Sequence, residues 1–120
     1  MAAALAKSML TGNQEVLSAG IECTDGLPAA RNAMKVLRER GIDLSTHRTR
    51  SVASLSLQQG DIAVAMTAAI AERLRHFGAG NVVSLDVEDP YGGDLNRYRV
   101  AADEIARQVA SVLRKIAWIA

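Results

Sequence analysis

The sequence predicts an α/β domain in which a parallel β-sheet carries helices on both of its faces. Short apolar runs of strand length alternate along the chain with helical patterns, in the order α-β-α-α-β-α-β-α. Strands that are separated by helices pair in parallel through right-handed crossovers. Three strands make a thin sheet, and we therefore expect that a further strand is missing.

Composition limits the classes to which the chain can belong. Its 120 residues form a single domain by length, residues 1–120, and 49% of them are apolar, enough for a core. The net charge is +1 and no basic run is interleaved with aromatics, so nucleic-acid binding is not expected. No stretch is long enough for a membrane span. The single cysteine excludes an intrachain disulfide and suits a reducing compartment, so the expected location is cytoplasmic.

The first third of the chain predicts two helices and one strand. Residues 1–10 are good helix formers, but no capping residue precedes them, so we expect the turn before this helix to be missing; the alternative is a frayed terminal helix. Residues 15–19 are predicted to be a short strand. Pro28 suits the first turn of the next helix. One apolar stripe faces the core from that helix, and Gly41 is predicted to end it as a left-handed cap. The stripe comprises Ala30, Ala33, Met34 and Leu37.

The middle of the chain predicts a short helix, two buried strands and a helix between them. Ser51 can cap the short helix, which would extend to Gln58. Residues 62–66 and 81–87 are apolar runs of strand length, as expected of parallel strands that are buried on both faces. Thr67 can cap the intervening helix, which Gly78 is predicted to end.

The longest helical pattern follows Asp94, its predicted cap. Apolar residues alternate three and four apart along it, which predicts one helix lying on a sheet. A coiled-coil seam is the alternative. The stripe comprises Leu95, Tyr98, Ala102, Ile105, Val109, Val112 and Ile116.

Asp89-Pro90-Tyr91-Gly92-Gly93 is the stretch most suggestive of chemistry. It would hold an acid on a rigid turn between a strand and a helix, at the carboxyl end of the strand, where open α/β sheets bind ligands. Asp89 is therefore the first candidate for a catalytic residue. The alternative is that Asp89 only forms a turn, because Asp-Pro and Gly-Gly are turn signals.

Several segments, taken together and in order, resemble the low-molecular-weight protein tyrosine phosphatases of the bacterial type, which are related to arsenate reductases. The similarity implies a flavodoxin-like fold. The segments are Met1-Ala2-Ala3-Ala4-Leu5, Ser18-Ala19-Gly20, Gly41-Ile42-Asp43-Leu44-Ser45-Thr46-His47-Arg48, Asp61-Ile62-Ala63-Val64-Ala65-Met66-Thr67 and the Asp89 stretch followed by Tyr98-Arg99.

The resemblance implies a mechanism and a site. In the family, a cysteine thiolate in a Cys-x5-Arg loop attacks phosphorus, and the loop amides and Arg hold the phosphate oxygens. Asp89 would then be the general acid that protonates the leaving group. Tyr91 would form a wall of the substrate pocket. The implied substrate is a phosphorylated protein or a small phosphate ester, and no cofactor is required.

The sequence departs from the family at the nucleophile. The family's first strand and its Cys-x5-Arg loop would stand immediately before Met1. The only cysteine, Cys23, precedes Arg31 by seven intervening residues and is interpreted as a loop thiol. We therefore expect this polypeptide to be inactive, and whether the protein is an enzyme stays open. The favoured origin is a start site assigned downstream of the true one; the alternative is a non-catalytic binding or regulatory module derived from the family.

The same departure affects the sheet. In the family the missing strand lies between the strands that correspond to residues 15–19 and 62–66. Each unpaired buried backbone group would cost about 1–3 kcal/mol, against a total stability of about 5–15 kcal/mol. The sheet is therefore expected to close up, to borrow a strand in a homo-oligomer, or to be completed by residues outside the 120.

Other polar residues give weaker signals. His47 and Arg48, with Arg50, are candidate anion contacts; a solvated loop is the alternative. His76 in the last turn of a helix suits the helix dipole and is assigned no function. No cluster has metal-ligand spacing, and no glycine-rich nucleotide loop follows a strand. Arsenate reduction would need further redox cysteines.

Overall fold

The computed structural model describes residues 1–21 and 23–120. These residues form four α-helices, two β-strands and one 3-10 helix, so the predicted α/β class is confirmed. The helices are α1 (Ala2–Met9), α2 (Arg31–Glu39), α3 (Ala68–His76) and α4 (Leu95–Lys115); the strands are β1 (Ile62–Ala65) and β2 (Asn81–Ser84); the 3-10 helix is Val52–Ser54.

The two strands pair in parallel, with Ile62 opposite Asn81 and Ala65 opposite Ser84. The pairing continues past the end of β2. The Leu85 N–H donates to the Ala65 carbonyl at 2.7 Å, and a second bond of 3.0 Å joins Val87 to the carbonyl of the residue after Ala65. The sheet therefore fixes the chain almost to Asp89.

Helices cover both faces of the sheet, as predicted. On one face α3 packs against β1, around the buried Ala65, Ala71 and Leu74. On the other face lies the larger core, formed by α1, α2 and α4 together with the segment after β2. The neighbouring Val82 and Val83 of β2 contact the smaller and the larger core respectively, as the alternation of side chains along a strand requires.

The strand predicted at residues 15–19 is wrong. Among the described residues the sheet contains only β1 and β2, and residues 15–19 have no regular secondary structure. The nearest pairing is an isolated parallel bridge between Gly20 and Ser51. Strand propensity is weak without a neighbouring strand to pair with, and Leu17 is accordingly half exposed.

Two helix boundaries also differ from the prediction. The helix expected to extend from Ser51 to Gln58 is the single turn Val52–Ser54, whose cap is the Ser51 hydroxyl, accepting from the Ala53 N–H at 3.3 Å. Pro28 precedes α2 by three residues because it pairs with Arg48 in an isolated antiparallel bridge.

Two predicted helix caps, Thr67 before α3 and Gly41 after α2, are confirmed. The Thr67 hydroxyl accepts from the Ile70 N–H at 3.2 Å at the start of α3. After α2, Gly41 takes a φ of 76°, and the N–H of the following Ile42 donates to a carbonyl in the last turn.

Most of the predicted apolar stripe of α4 is buried in the larger core of the domain and not in a coiled-coil seam. Its buried members are Tyr98, Ala102, Ile105, Val109 and Val112, whereas Leu95 and Ile116 are partly buried. Leu113, which the prediction did not include, is also buried in this core. No described helix is both long enough and apolar enough to cross a membrane.

Candidate active site

The segment between β2 and α4, residues 86–94, is called the acid turn below. One carboxylate oxygen of Asp89, Oδ1, accepts a hydrogen bond from the Tyr91 N–H at 3.0 Å. The Gly93 N–H donates to the Pro90 carbonyl at 2.8 Å, which closes the turn. Asp94 ends it by capping α4, since its Oδ1 accepts from an N–H of the first helical turn at 2.9 Å. The rigid turn predicted between strand and helix is therefore present.

Both glycines of the acid turn are required by its geometry. Gly92 has a φ of 79°, a left-handed conformation that other residues adopt only with strain. A Cβ on Gly93 would lie 2.8 Å from the Pro90 carbonyl oxygen and 2.7 Å from Cδ of Arg97. Because the carbonyl belongs to the turn itself, the backbone would have to move.

Two side chains from outside the acid turn contact its backbone, and neither contact was predicted from the sequence. Gln108 of α4 exchanges two hydrogen bonds with the Asp86 backbone. Asn32 of α2 donates to the Gly93 carbonyl at 3.2 Å. These partners are 22 and 61 residues apart in the chain, so no periodicity could show the contacts. The only local signal was the position of Gln108 beside the buried stripe of α4.

Asp89 is exposed and lines a shallow groove of about 380 Å³ between the acid turn and the first half of α4. Tyr98 of α4 is buried, within electrostatic reach of Asp89. Burial raises the pKa of Tyr98, and the negative charge of Asp89 and the neighbouring Tyr91 raise it further. Tyr91 itself is 82% exposed, and the groove is lined without it. Asp89 therefore contacts the Tyr91 backbone directly and acts on Tyr98 through its charge.

The basic residues form a second group. Burial lowers the pKa of His47, and the positive charges of the Met1 amine, Arg50 and Arg48 lower it further. Burial also lowers the pKa of the Met1 amine. Arg48 uses one guanidinium nitrogen to donate to the carbonyls of Ser45 and His47, at 3.3 and 2.7 Å. In the described part of the chain, no hydrogen bond or ion pair links this group to Asp89.

Cys23 belongs to neither of these two groups of residues. Cys23 is exposed in the loop before α2, and its sulfur lies close to Gly20. Its nearest arginine in the sequence toward the carboxyl end, Arg31, is the first residue of α2. Residues 1–21 and 23–120 contain no group of three or more His, Cys, Asp or Glu side chains that could hold a metal ion.

Comparison with known proteins connects this geometry to a family. The family described as low molecular weight phosphotyrosine protein phosphatase matches residues 1–118. The chain is 31% identical to the "Probable low molecular weight protein-tyrosine-phosphatase EpsP" of Ralstonia nicotianae, a match that covers 97% of this chain and 86% of the relative. It is also 31% identical, with the same coverage, to a "Protein-arginine-phosphatase" of Geobacillus stearothermophilus.

Solved structures agree with the sequence relatives. The low molecular weight protein tyrosine phosphatase from T. tengcongensis superposes with a TM-score of 0.83 at 28% identity, over 95% of this chain and 88% of that one. An arsenate reductase in its reduced state shares the fold, with a TM-score of 0.76 at 20% identity, over 95% of this chain and 86% of that one. The family match and both sequence relatives show that the chain belongs to the low-molecular-weight protein tyrosine phosphatase family.

Proposed function

We propose that residues 1–120 form the acid-bearing part of a low-molecular-weight phosphatase domain, in which Asp89 is the general acid of phosphomonoester hydrolysis. The observation that supports this role is the position of Asp89: an exposed carboxylate on a closed turn that follows a parallel strand. A general acid must be reachable by the leaving group and held in one place. The acid turn meets both requirements.

The hydrogen bond to Tyr91 also selects which oxygen carries the proton. Oδ1 of Asp89 accepts the Tyr91 N–H, a hydrogen bond that an oxygen without a proton accepts best. The proton that is donated to a leaving oxygen would therefore be held on Oδ2. After transfer, the same carboxylate can accept a proton from the water that releases phosphate.

The nucleophile is the part that residues 1–120 do not provide. Phosphoenzyme formation needs a thiolate whose pKa is lowered by a helix amino terminus or a nearby cation. Cys23 is an exposed loop residue, and α2 does not begin until Arg31. We therefore propose that the 120-residue polypeptide does not turn over phosphate esters by itself.

The proposed substrate class follows the names of the relatives, one a tyrosine phosphatase and the other an arginine phosphatase. The substrate would be a phosphorylated protein or a small phosphate ester, with His47 and Arg48 as anion contacts. Because Tyr91 does not line the groove beside Asp89, it would act as a pocket wall on the solvent side of the acid turn. The lowered pKa of His47 makes its imidazole neutral near pH 7, so it would act as a hydrogen-bond donor, and Arg48 would supply the positive charge. We place the protein in the cytoplasm because a lone cysteine suits a reducing compartment.

The test is an assay of the 120-residue protein with p-nitrophenyl phosphate and with phosphoarginine. We expect phosphate release no faster than that of the Cys23→Ser variant, because the thiol has no catalytic role. The Geobacillus stearothermophilus arginine phosphatase is the positive control. Turnover that Cys23→Ser abolishes would contradict the proposal. The homo-oligomer expected from the thin sheet stays a prediction, which light scattering on the purified protein tests.

A further inference from the structure

We propose that Gln108 and Asn32 are positioning residues that fix the two ends of the acid turn and thereby hold the Asp89 carboxylate in place. The inference rests on the proposed role of Asp89. It is carried by three hydrogen bonds that connect the backbone of the acid turn to two different helices.

The first end of the acid turn is held by Gln108 of α4. Oε1 of Gln108 accepts from the Asp86 N–H at 2.9 Å, and Nε2 donates to the Asp86 carbonyl at 3.0 Å. Leu85 and Val87, on either side of Asp86, donate their N–H groups to the segment of β1. The side-chain amide, which offers both a donor and an acceptor, thus takes the place that a neighbouring strand would have at Asp86.

The orientation of the Gln108 amide is determined by its partners. Nε2 also donates to a carboxylate oxygen of Glu104 at 2.9 Å, and Glu104 is paired in turn with Arg107. A reversed amide would place its N–H₂ group against the Asp86 N–H and its oxygen against a carboxylate. Three hydrogen bonds therefore keep the side chain in the one orientation that binds Asp86.

The second end is held by Asn32 of α2. Its Nδ2 donates to the Gly93 carbonyl at 3.2 Å, while the N–H of Gly93 closes the turn on Pro90. Asp89 lies between the two anchors and is exposed. A side chain on an exposed turn keeps a fixed position only if its backbone is held, and small displacements of a catalytic group reduce rates strongly.

The experiment uses isotope-labelled protein of 120 residues and measures amide hydrogen exchange residue by residue, together with the carboxyl carbon resonance of Asp89. Gln108→Met keeps the length of the side chain and removes both hydrogen bonds to Asp86, together with the one to Glu104. Asn32→Asp removes the donor to Gly93, and because Asn32 lies in the first turn of α2, an acid there suits the helix dipole and keeps the helix stable. Gln58→Met is the control, since its amide contacts only its own loop.

We expect Gln108→Met to accelerate exchange of the Asp86 N–H about tenfold. Both variants should accelerate exchange of the Tyr91 N–H and shift the Asp89 carboxyl resonance, with exchange of the Leu74 N–H in α3 unchanged. The control should change none of these signals. Equal acceleration at Leu74 would mean a general loss of stability and would overturn the positioning role, as would unchanged Tyr91 and Asp89 signals in both variants. If Gln108→Met does not fold, Asn32→Asp alone decides.

The positioning role of Gln108 and Asn32 and the general-acid role of Asp89 are tested by different measurements, so one can be wrong while the other holds. These signals report the position of the carboxylate and need no turnover. If they change as expected while replacement of Asp89 leaves catalysis unaffected in the active fusion described below, the positioning contacts are real and the general-acid role is wrong.

Discussion

The acid turn and the N-terminal loop, residues 10–21 and 23–30, are both irregular, but they are held in different ways. The acid turn is bonded to α2 and α4 and leads directly out of the sheet. Between Leu10 and Ala30, the described backbone bonds of the N-terminal loop run to residues 49–52, in a second loop and the start of the 3-10 helix: Gly20 bonds to Arg50 and Val52, and Gly26 bonds to Thr49. An irregular segment is as rigid as the elements to which it is bonded.

Side chains at the acid turn are also more deeply buried than those of the N-terminal loop. Leu85, just before the acid turn, and Val87, inside it, are 5% and 4% exposed, whereas Leu17 and Leu27 in the N-terminal loop are each 50% exposed. Few buried contacts and backbone bonds to other loops are features of segments that open at low free energy. The candidate catalytic residue therefore lies in the better-supported of the two segments.

The largest expected difference comes from a matched pair of leucine substitutions. Leu85→Ala leaves a cavity in the larger core and should lower the free energy of unfolding by about 2–5 kcal/mol. Leu17→Ala should change it by less than about 0.5 kcal/mol, because the side chain is half exposed. Urea denaturation measures both. Equal losses would show that the N-terminal loop is as well packed as the segment that enters the acid turn.

A pair of glycine substitutions gives a smaller difference. Gly93→Ala should destabilise the protein by about 1–3 kcal/mol, since its Cβ meets the Pro90 carbonyl of the same turn. In Gly12→Ala the new Cβ meets only the side chain of Gln14, which can move away, so a change below about 0.5 kcal/mol is expected. Thermal unfolding followed by circular dichroism would separate the two variants. If Gly93→Ala leaves the thermal stability unchanged, the turn is not as tightly packed at Gly93 as the structure indicates.

The smallest effect concerns the electrostatics of the acid turn. Burial and the charge of Asp89 raise the pKa of Tyr98, so the folded state holds this proton more tightly than the unfolded state does. The resulting stability is present below the unfolded pKa of about 10 and is lost as pH rises through the folded pKa. Asp89→Asn should lower the pKa of Tyr98, because one of the charges that opposes ionisation is removed.

Tyrosinate absorbance during an alkaline titration measures this shift, with Tyr91→Phe as the background so that Tyr98 is the only tyrosine. Asp86→Asn is the control, because Asp86 is an exposed acid of the same turn that does not act on Tyr98. A pKa of Tyr98 that is the same in all three proteins would show that Asp89 does not face it.

Sequence predicted the features that depend on neighbours within a few residues. Thr67 and Asp94 cap their helices through contacts three residues away, and the stripe of α4 follows from the helical period alone. The strand at residues 15–19 failed because a strand exists only with a partner, and the partner is not given by local pattern.

At the site, the turn and its acid could be predicted because Asp89, Pro90 and the two glycines are residue types that favour turns. The contacts of Asn32 and Gln108 could not, since each depends on which helix the fold places beside the turn. The grouping of His47 with the Met1 amine is likewise a product of packing between distant segments.

The most direct test of Asp89 as the general acid is turnover in a fusion. A segment that carries the family's first strand and Cys-x5-Arg loop, taken from a relative, would be joined before Met1, and hydrolysis of p-nitrophenyl phosphate measured. We expect the fusion to be active and Asp89→Asn in it to lower kcat by about 10²–10⁴-fold, while Asp86→Asn leaves kcat unchanged. An active fusion in which Asp89→Asn turns over as fast as its parent would contradict the assignment of Asp89.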